Sequence, residues 1–172
     1  MKTATFRDTS VMRDRREFVR VALGVLAGTV ALPREIWAGQ QPTNTRRRIT
    51  VYKDPDCGCC KKWVELAKGT GWIVDVKDVP DPAKLDAVKD KARVPKSMRS
   101  CHTALVGRYV FEGHVPIDLL KGFMDRPRPI AGLAVPGMPV GSPGMEVPGQ
   151  PAERYQVMGY YGDGRTFVYA TR

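Results

Sequence analysis

The sequence has no apolar run long enough to cross a membrane with confidence. The longest candidate, Val21–Leu32 ("VALGVLAGTVAL"), falls short of the roughly 18 apolar residues that a spanning helix needs. No internal repeat is present, so the chain is not an array of stacked units. No interleaving of aromatic and basic residues marks a surface that would track a nucleic-acid strand. The formal net charge of +10 therefore reads as a solvated basic surface, and no nucleic-acid partner is expected. There are only two histidines, His102 and His114, and four cysteines, Cys57, Cys59, Cys60 and Cys101. The cysteines lack the ligand spacing of the familiar iron–sulfur runs. At 172 residues the chain can build a proper core, so it needs neither metal nor disulfide merely to fold.

What is present begins with an export signal over residues 1–38. "MRDRREFVR" (Met12–Arg20) is basic, the apolar run follows, and a small-residue cleavage site lies near "IWAGQ". The adjacent Arg15 and Arg16 ahead of Phe18 are similar to a twin-arginine leader, which is read by a receptor and is not an anchor. Cleavage is expected after Ala38, with an uncut N-terminal anchor as the alternative. The leader carries seven Lys/Arg against four acids, which leaves +7 for the remainder. The expected destination is the periplasm, with no stable membrane span after signal removal. Unprotected cysteine pairs tend to become disulfides there.

Residues 39–48 are polar and read as a linker, and residues 49–172 as a single domain. "ITVY" (Ile49–Tyr52) is a β-branched and aromatic strand that ends at Pro55, Asp56 and Gly58. Over Cys59–Lys68 the residues Cys60, Trp63, Val64 and Ala67 share one face at helical spacing. "WIVDVKDV" (Trp72–Val79) is a second strand. Asp81–Ala92 is a helix with Asp81 as N-cap, Pro82 at its first position, and Leu85 and Val88 facing inward. His102–Val106 and Arg108–Glu112 form a hairpin about Gly107, and Pro116–Pro127 a short third helix. The order β-α-β-α-β-β-α predicts an α/β (α+β) fold, a thioredoxin-like mixed sheet with packed helices. Right-handed closure of the first βαβ unit sets the first strand inside the sheet. Residues 130–151 are dense in Pro and Gly and read as a long irregular loop, packed down over the cysteine site. Residues 154–171 read as a C-terminal hairpin turning at Gly162–Gly164.

The chemistry concentrates in "DPDCGCCKKW", Asp54–Trp63. Cys57 and Cys60 form a C-x-x-C at the start of a helix, where free N–H groups and the helix dipole favour thiolates. Alone, that placement is a thioredoxin-type redox signature. Cys59 argues against so simple a reading, because a third thiolate beside the pair would attack or scramble its disulfide. Clustered thiolates suit soft metals, Cu(I) above all, then zinc or iron–sulfur. One tetrahedral zinc wants ligand pairs spaced C-x₂₋₄-C, and adjacent Cys59 and Cys60 would reach a single ion only with strain. Several copper ions bridged by thiolates remove that difficulty. Cys101 precedes the third strand, beside the first in such a fold, and is the fourth candidate ligand. Two readings stay open against metal ligation: two structural disulfides, and a thiol–disulfide oxidoreductase using Cys57 and Cys60.

The histidines and methionines rank below the cysteines. If the third strand has begun by Cys101, His102 faces away from it, because strand side chains alternate. His114 follows Gly113 at a strand end and is freer to approach the site. Met138 and Met145 are soft thioethers in the Pro/Gly loop that suit Cu(I).

Three segments, "VYKDPDCGCCKKW", "RSCHTALVGRYVFEGHVP" and "GLAVPGMPVGSPGME", together resemble the CopG-like family of periplasmic copper-resistance and metal-binding proteins, the domain of unknown function 411. The resemblance runs from about Thr50 to Glu146. It implies a thioredoxin-like fold and a cysteine-bridged cluster of several copper ions, with Cys57, Cys59, Cys60 and Cys101 as the matching ligands. It also implies a metal-binding protein more than an enzyme, with conversion between Cu(I) and Cu(II) as a further expectation. The expected partners are metal ions and other periplasmic copper-handling proteins.

Overall fold

A computed structural model describes residues 47–172. The export signal and residues 39–46 of the linker lie outside the described residues.

The chain runs β1 (Arg48–Lys53), α1 (Gly58–Lys68), β2 (Ile73–Asp78), α2 (Pro82–Lys91), a 3₁₀ turn at Lys96–Met98, β3 (His102–Val106), β4 (Tyr109–Glu112), α3 (Ile117–Asp125), β5 (Gly132–Ala134), β6 (Gln156–Tyr160) and β7 (Thr166–Thr171). All seven strands join one mixed sheet in the order β2-β1-β3-β4-β5-β6-β7. The pairs β1–β2 and β4–β5 are parallel and the other four antiparallel. The expected mixed α/β fold is present, with β1 held between β2 and β3.

Strand alternation divides the core between the two sheet faces. Ile49, Val51, Ala104, Val106 and Phe111 meet Trp63, Val64 and Ala67 of α1 and Leu120 and Phe123 of α3 in the larger cluster. Val110, Ala134 and Tyr160 form a smaller cluster with Val94 beyond α2. The four residues predicted on one face of α1 are its four buried residues. In α2, Asp81 accepts the Ala83 N–H at 2.9 Å and Pro82 opens the helix. Leu85 and Val88 are only half-buried, and the buried residue of that helix is Lys89.

Two features go beyond the predicted elements. Within the expected irregular loop, Gly132–Ala134 forms a fully buried strand parallel to β4. The C-terminal hairpin extends the main sheet through β5. Gly132 permits this arrangement, because a Cβ there would stand 1.8 Å from the Val110 carbonyl oxygen.

Candidate metal centre

The β1–α1 connection presents three cysteines at the end of the sheet. Cys57 is the N-cap of α1, and its sulfur accepts the Cys60 N–H at 3.4 Å. Cys59 Sγ lies 3.5 Å from Cys57 Sγ. Cys60 turns inward and is fully buried, while Cys57 and Cys59 are half-buried. Cys101 arrives from the bend before β3, which pairs with β1 through Lys53 and His102. The four sulfurs lie within 4.8 Å of one another. Cys57 and Cys60 are joined as a disulfide, and Cys59 and Cys101 are free thiols. The four residues singled out by the sequence thus converge in space.

Burial pushes the Cys101 thiol up to about 12, with the neighbouring Cys59 adding to the rise. A thiol in that state is protonated at neutral pH, and a soft cation that displaces the proton removes the penalty.

His114 stands against the same sulfur. Its Nε2 is 2.9 Å from Cys101 Sγ, and its Nδ1 is 2.8 Å from the Pro143 carbonyl oxygen. A carbonyl only accepts, so the proton of the neutral ring sits on Nδ1 and the Nε2 lone pair faces Cys101. This is the arrangement in which a histidine serves as a metal ligand, with its second nitrogen fixing the tautomer. His114 thereby reaches the site, as its position at a strand end suggested.

His102 does not face away. The strand starts at His102 itself, so Cys101 still lies in the preceding bend and simple alternation does not separate the two side chains. His102 Nδ1 is 3.7 Å from Cys101 Sγ, and the ring packs against Trp63 and His114 at centroid distances of 4.6 and 5.1 Å. Cys101, His102 and His114 form a second group with donor atoms within 4.8 Å of one another. His102 Nε2 is buried without a hydrogen-bond partner among the described residues. Both rings are held below the ordinary imidazole range, chiefly by burial. The only warning in the sequence was the adjacency of Cys101 and His102, and it needed the strand boundary to be placed to one residue.

The Pro/Gly loop closes the centre from the side of α1. Gly144, at φ +89°, packs so tightly that a Cβ would lie 2.8 Å from the Cys59 carbonyl oxygen and 3.0 Å from the Trp63 nitrogen. Glu146 holds the turn by accepting the Gly144 N–H. Met145 is half-buried and Met138 is exposed, at 54% of its full surface. A groove of about 530 Å³ is lined by Cys57 and Cys101 together with Asp54, Asp56, Asp86 and Lys89.

The residues present fit a soft metal ion. Cys59, Cys101 and, once their disulfide is reduced, Cys57 and Cys60 offer soft sulfur donors, and the His114 Nε2 lone pair facing Cys101 is a borderline one. The unpartnered buried His102 Nε2 shows that the polar groups here are not satisfied by one another.

A family model described as "Protein of unknown function, DUF411" matches residues 98–145, which hold Cys101, both histidines and the closing loop. Among curated proteins none matches significantly. Two solved structures are similar over nearly their whole length. "Copper resistance protein copG- Form 2" is 41% identical with a TM-score of 0.66, over 73% of this chain and 98% of that one. "Copper resistance protein copG- Form 1" is 40% identical with a TM-score of 0.67, over 74% and 98%. With that identity across almost all of those structures, the chain belongs to the CopG-like family of copper-resistance proteins.

Proposed function

We propose that this is a periplasmic copper-binding protein of copper resistance that holds Cu(I) through Cys57, Cys59, Cys60 and Cys101. The observation that carries the reading is the convergence of four sulfurs within 4.8 Å. Thiolate is the donor that selects Cu(I) over harder cations. Adjacent Cys59 and Cys60 favour several bridged ions over one tetrahedral ion, and His114 Nε2 supports a further donor beside Cys101. Met138 and Met145 of the closing loop are thioethers of the kind that suits Cu(I) and rank below the cysteines and His114 as donors. Loading all four sulfurs first requires two electrons and two protons to open the Cys57–Cys60 disulfide. Bound copper would supply one-electron chemistry between Cu(I) and Cu(II). Export by the twin-arginine route fits this role, because folded substrates cross that way. Other periplasmic copper-handling proteins are the natural donors and acceptors of the metal.

Anaerobic titration of the reduced protein with Cu(I) tests the reading. More than one copper per chain is expected, with clear loss in Cys59→Ser. Less than one copper per chain, or full loading of Cys59→Ser, would sink the cluster.

A second reading, thiol–disulfide exchange, is favoured by the Cys57–Cys60 disulfide and the groove that exposes Cys57. Insulin reduction by the metal-free protein, lost in Cys57→Ser and kept in Cys59→Ser, would select it.

A further inference from the structure

Beneath Cys101 lies a buried charge network that metal ligation alone does not explain. Lys89 and Glu112 are 4% and 0% exposed in their side chains, with Nζ 2.6 Å from Oε1. Lys89 also donates to Thr103 Oγ1 at 3.1 Å, and Thr103 in turn donates to Glu112 Oε2 at 2.7 Å. Glu112 Oε1 accepts the backbone N–H of Ser100 at 2.8 Å, one residue before Cys101. Ser100 Oγ then donates to the Gly137 carbonyl at 2.6 Å, which ties the same segment to the closing loop.

A buried ion pair is a poor way to gain stability, since apolar side chains of similar volume often do as well or better. Its location suggests another use. Glu112 pairs with Thr103 across the hairpin and stands two residues before His114, so the network grips the two strands whose ends border Cys101 and His114. Lys89, unlike Glu112, lines the groove beside Cys57 and Cys101. Lys89 thus shares one groove with two of the sulfurs, and its charge also bears on the buried ring of His102. A second buried lysine, Lys53, flanks the site from β1, where it bonds Asp78 and the Asp54 carbonyl.

Charge balance gives these lysines a role. A thiol gives up its proton when it binds a metal ion. Four thiolates holding fewer than four monovalent cations carry net negative charge, and in a buried site that charge is costly unless offset.

We propose that Lys89, held by Glu112, is a positioning and charge-balancing residue of the metal centre: it sets a fixed positive charge beside the copper-binding sulfurs, while its partner orients the segment that delivers Cys101. This rests on the copper reading above and adds a residue that touches no metal. The pair stabilises early, under-filled states of the site, and so raises affinity for the first ions more than final capacity.

The test compares native protein with Lys89→Gln, Lys89→Arg and the paired replacement Lys89→Met/Glu112→Leu. Each is assayed metal-free for thermal unfolding, and reduced for Cu(I) affinity by anaerobic competition with a chromogenic chelator. Lys89→Gln, which can still donate to Glu112 but is uncharged, is expected to lose about tenfold in affinity for the first Cu(I). Lys89→Arg is expected to keep native affinity. The paired replacement is expected to unfold near the native temperature yet bind the first ion more weakly. Native affinity in both Lys89→Gln and the paired replacement overturns the proposal and leaves the network structural. If the paired replacement does not fold, Lys89→Gln against Lys89→Arg decides alone. A native protein that takes up no Cu(I) instead overturns the copper reading itself, and the native sample reveals that without any variant.

Discussion

At the residue scale the centre is governed by how few polar partners its buried groups have. His102 and His114 are neutral because burial opposes their charged forms, and His114 can offer a lone pair only because Pro143 takes its other nitrogen's proton. This has a pH consequence for the metal-free protein. In the unfolded chain both imidazoles take up protons as the pH falls through about 6.5, while the folded protein resists. The unfolded state then binds more protons, so stability falls with falling pH. Glu112 acts in the opposite sense at lower pH, because burial raises its carboxyl and the folded state accepts that proton first. The thermal midpoint of metal-free protein is expected to drop between about pH 7 and pH 5.5, and less steeply in His114→Gln. Parallel profiles for the two proteins would contradict the assignment to His114. The approach of His114 was legible from its place at a strand end, but the meeting of Cys101 with His102 was not. Cys101 and His102 meet because the strand begins one residue later than strict alternation would need, and a one-residue boundary shift reverses the prediction. Lys89 also escaped notice, since nothing local distinguishes a buried lysine from the exposed ones around it. Its partner is 23 residues away.

At the element scale the site is made by a helix N-terminus and a loop pressed on it. Helix α1 was readable because Cys60, Trp63, Val64 and Ala67 repeat at helical spacing and all face the core. The indole N–H of Trp63 donates to the Val115 carbonyl at 2.9 Å, which links α1 to the segment just after His114. The closing loop was expected to pack over the cysteines, and Pro143 and Gly144 are the residues that do so. Only a residue without a Cβ fits at 144, where the left-handed φ and the Cys59 carbonyl both exclude one. Gly144→Ala is therefore expected to cost on the order of 1–3 kcal/mol in unfolding free energy. It should also weaken Cu(I) binding by displacing the Pro143 carbonyl from His114. Denaturant unfolding and anaerobic metal competition check both effects. An unchanged midpoint would mean that the loop does not bear on α1.

At the scale of the whole molecule, the predicted β-α-β-α-β-β-α order was right and the sheet was larger than expected. The missing piece was β5. Gly-Leu-Ala shows no alternation, occupies three residues among prolines and glycines, and gains its register only from β4 and β6. Local pattern carries no signal for such a strand, whereas the longer strands announce themselves by β-branched and aromatic content. Through β5 the C-terminal hairpin becomes part of the core, with Val157 and Tyr160 fully buried. It also fixes the return of the closing loop, where the Glu153 N–H meets the Val140 carbonyl and Tyr155 pairs with Arg172. Truncation after residue 153 is expected to remove much of the roughly 5–15 kcal/mol typical of a domain. Loss of cooperative thermal unfolding by circular dichroism would show it, and a sharp native-like transition would contradict it.

The central claim is that four cysteines from two separate segments hold copper together. Copper K-edge X-ray absorption of the reduced, Cu(I)-loaded protein addresses it most directly. The account predicts a first shell dominated by sulfur near 2.3 Å, by analogy with thiolate–metal distances of about that length, thinned in Cys101→Ser as well as in Cys59→Ser. A shell of nitrogen and oxygen alone, or one that is identical in Cys101→Ser, would contradict it.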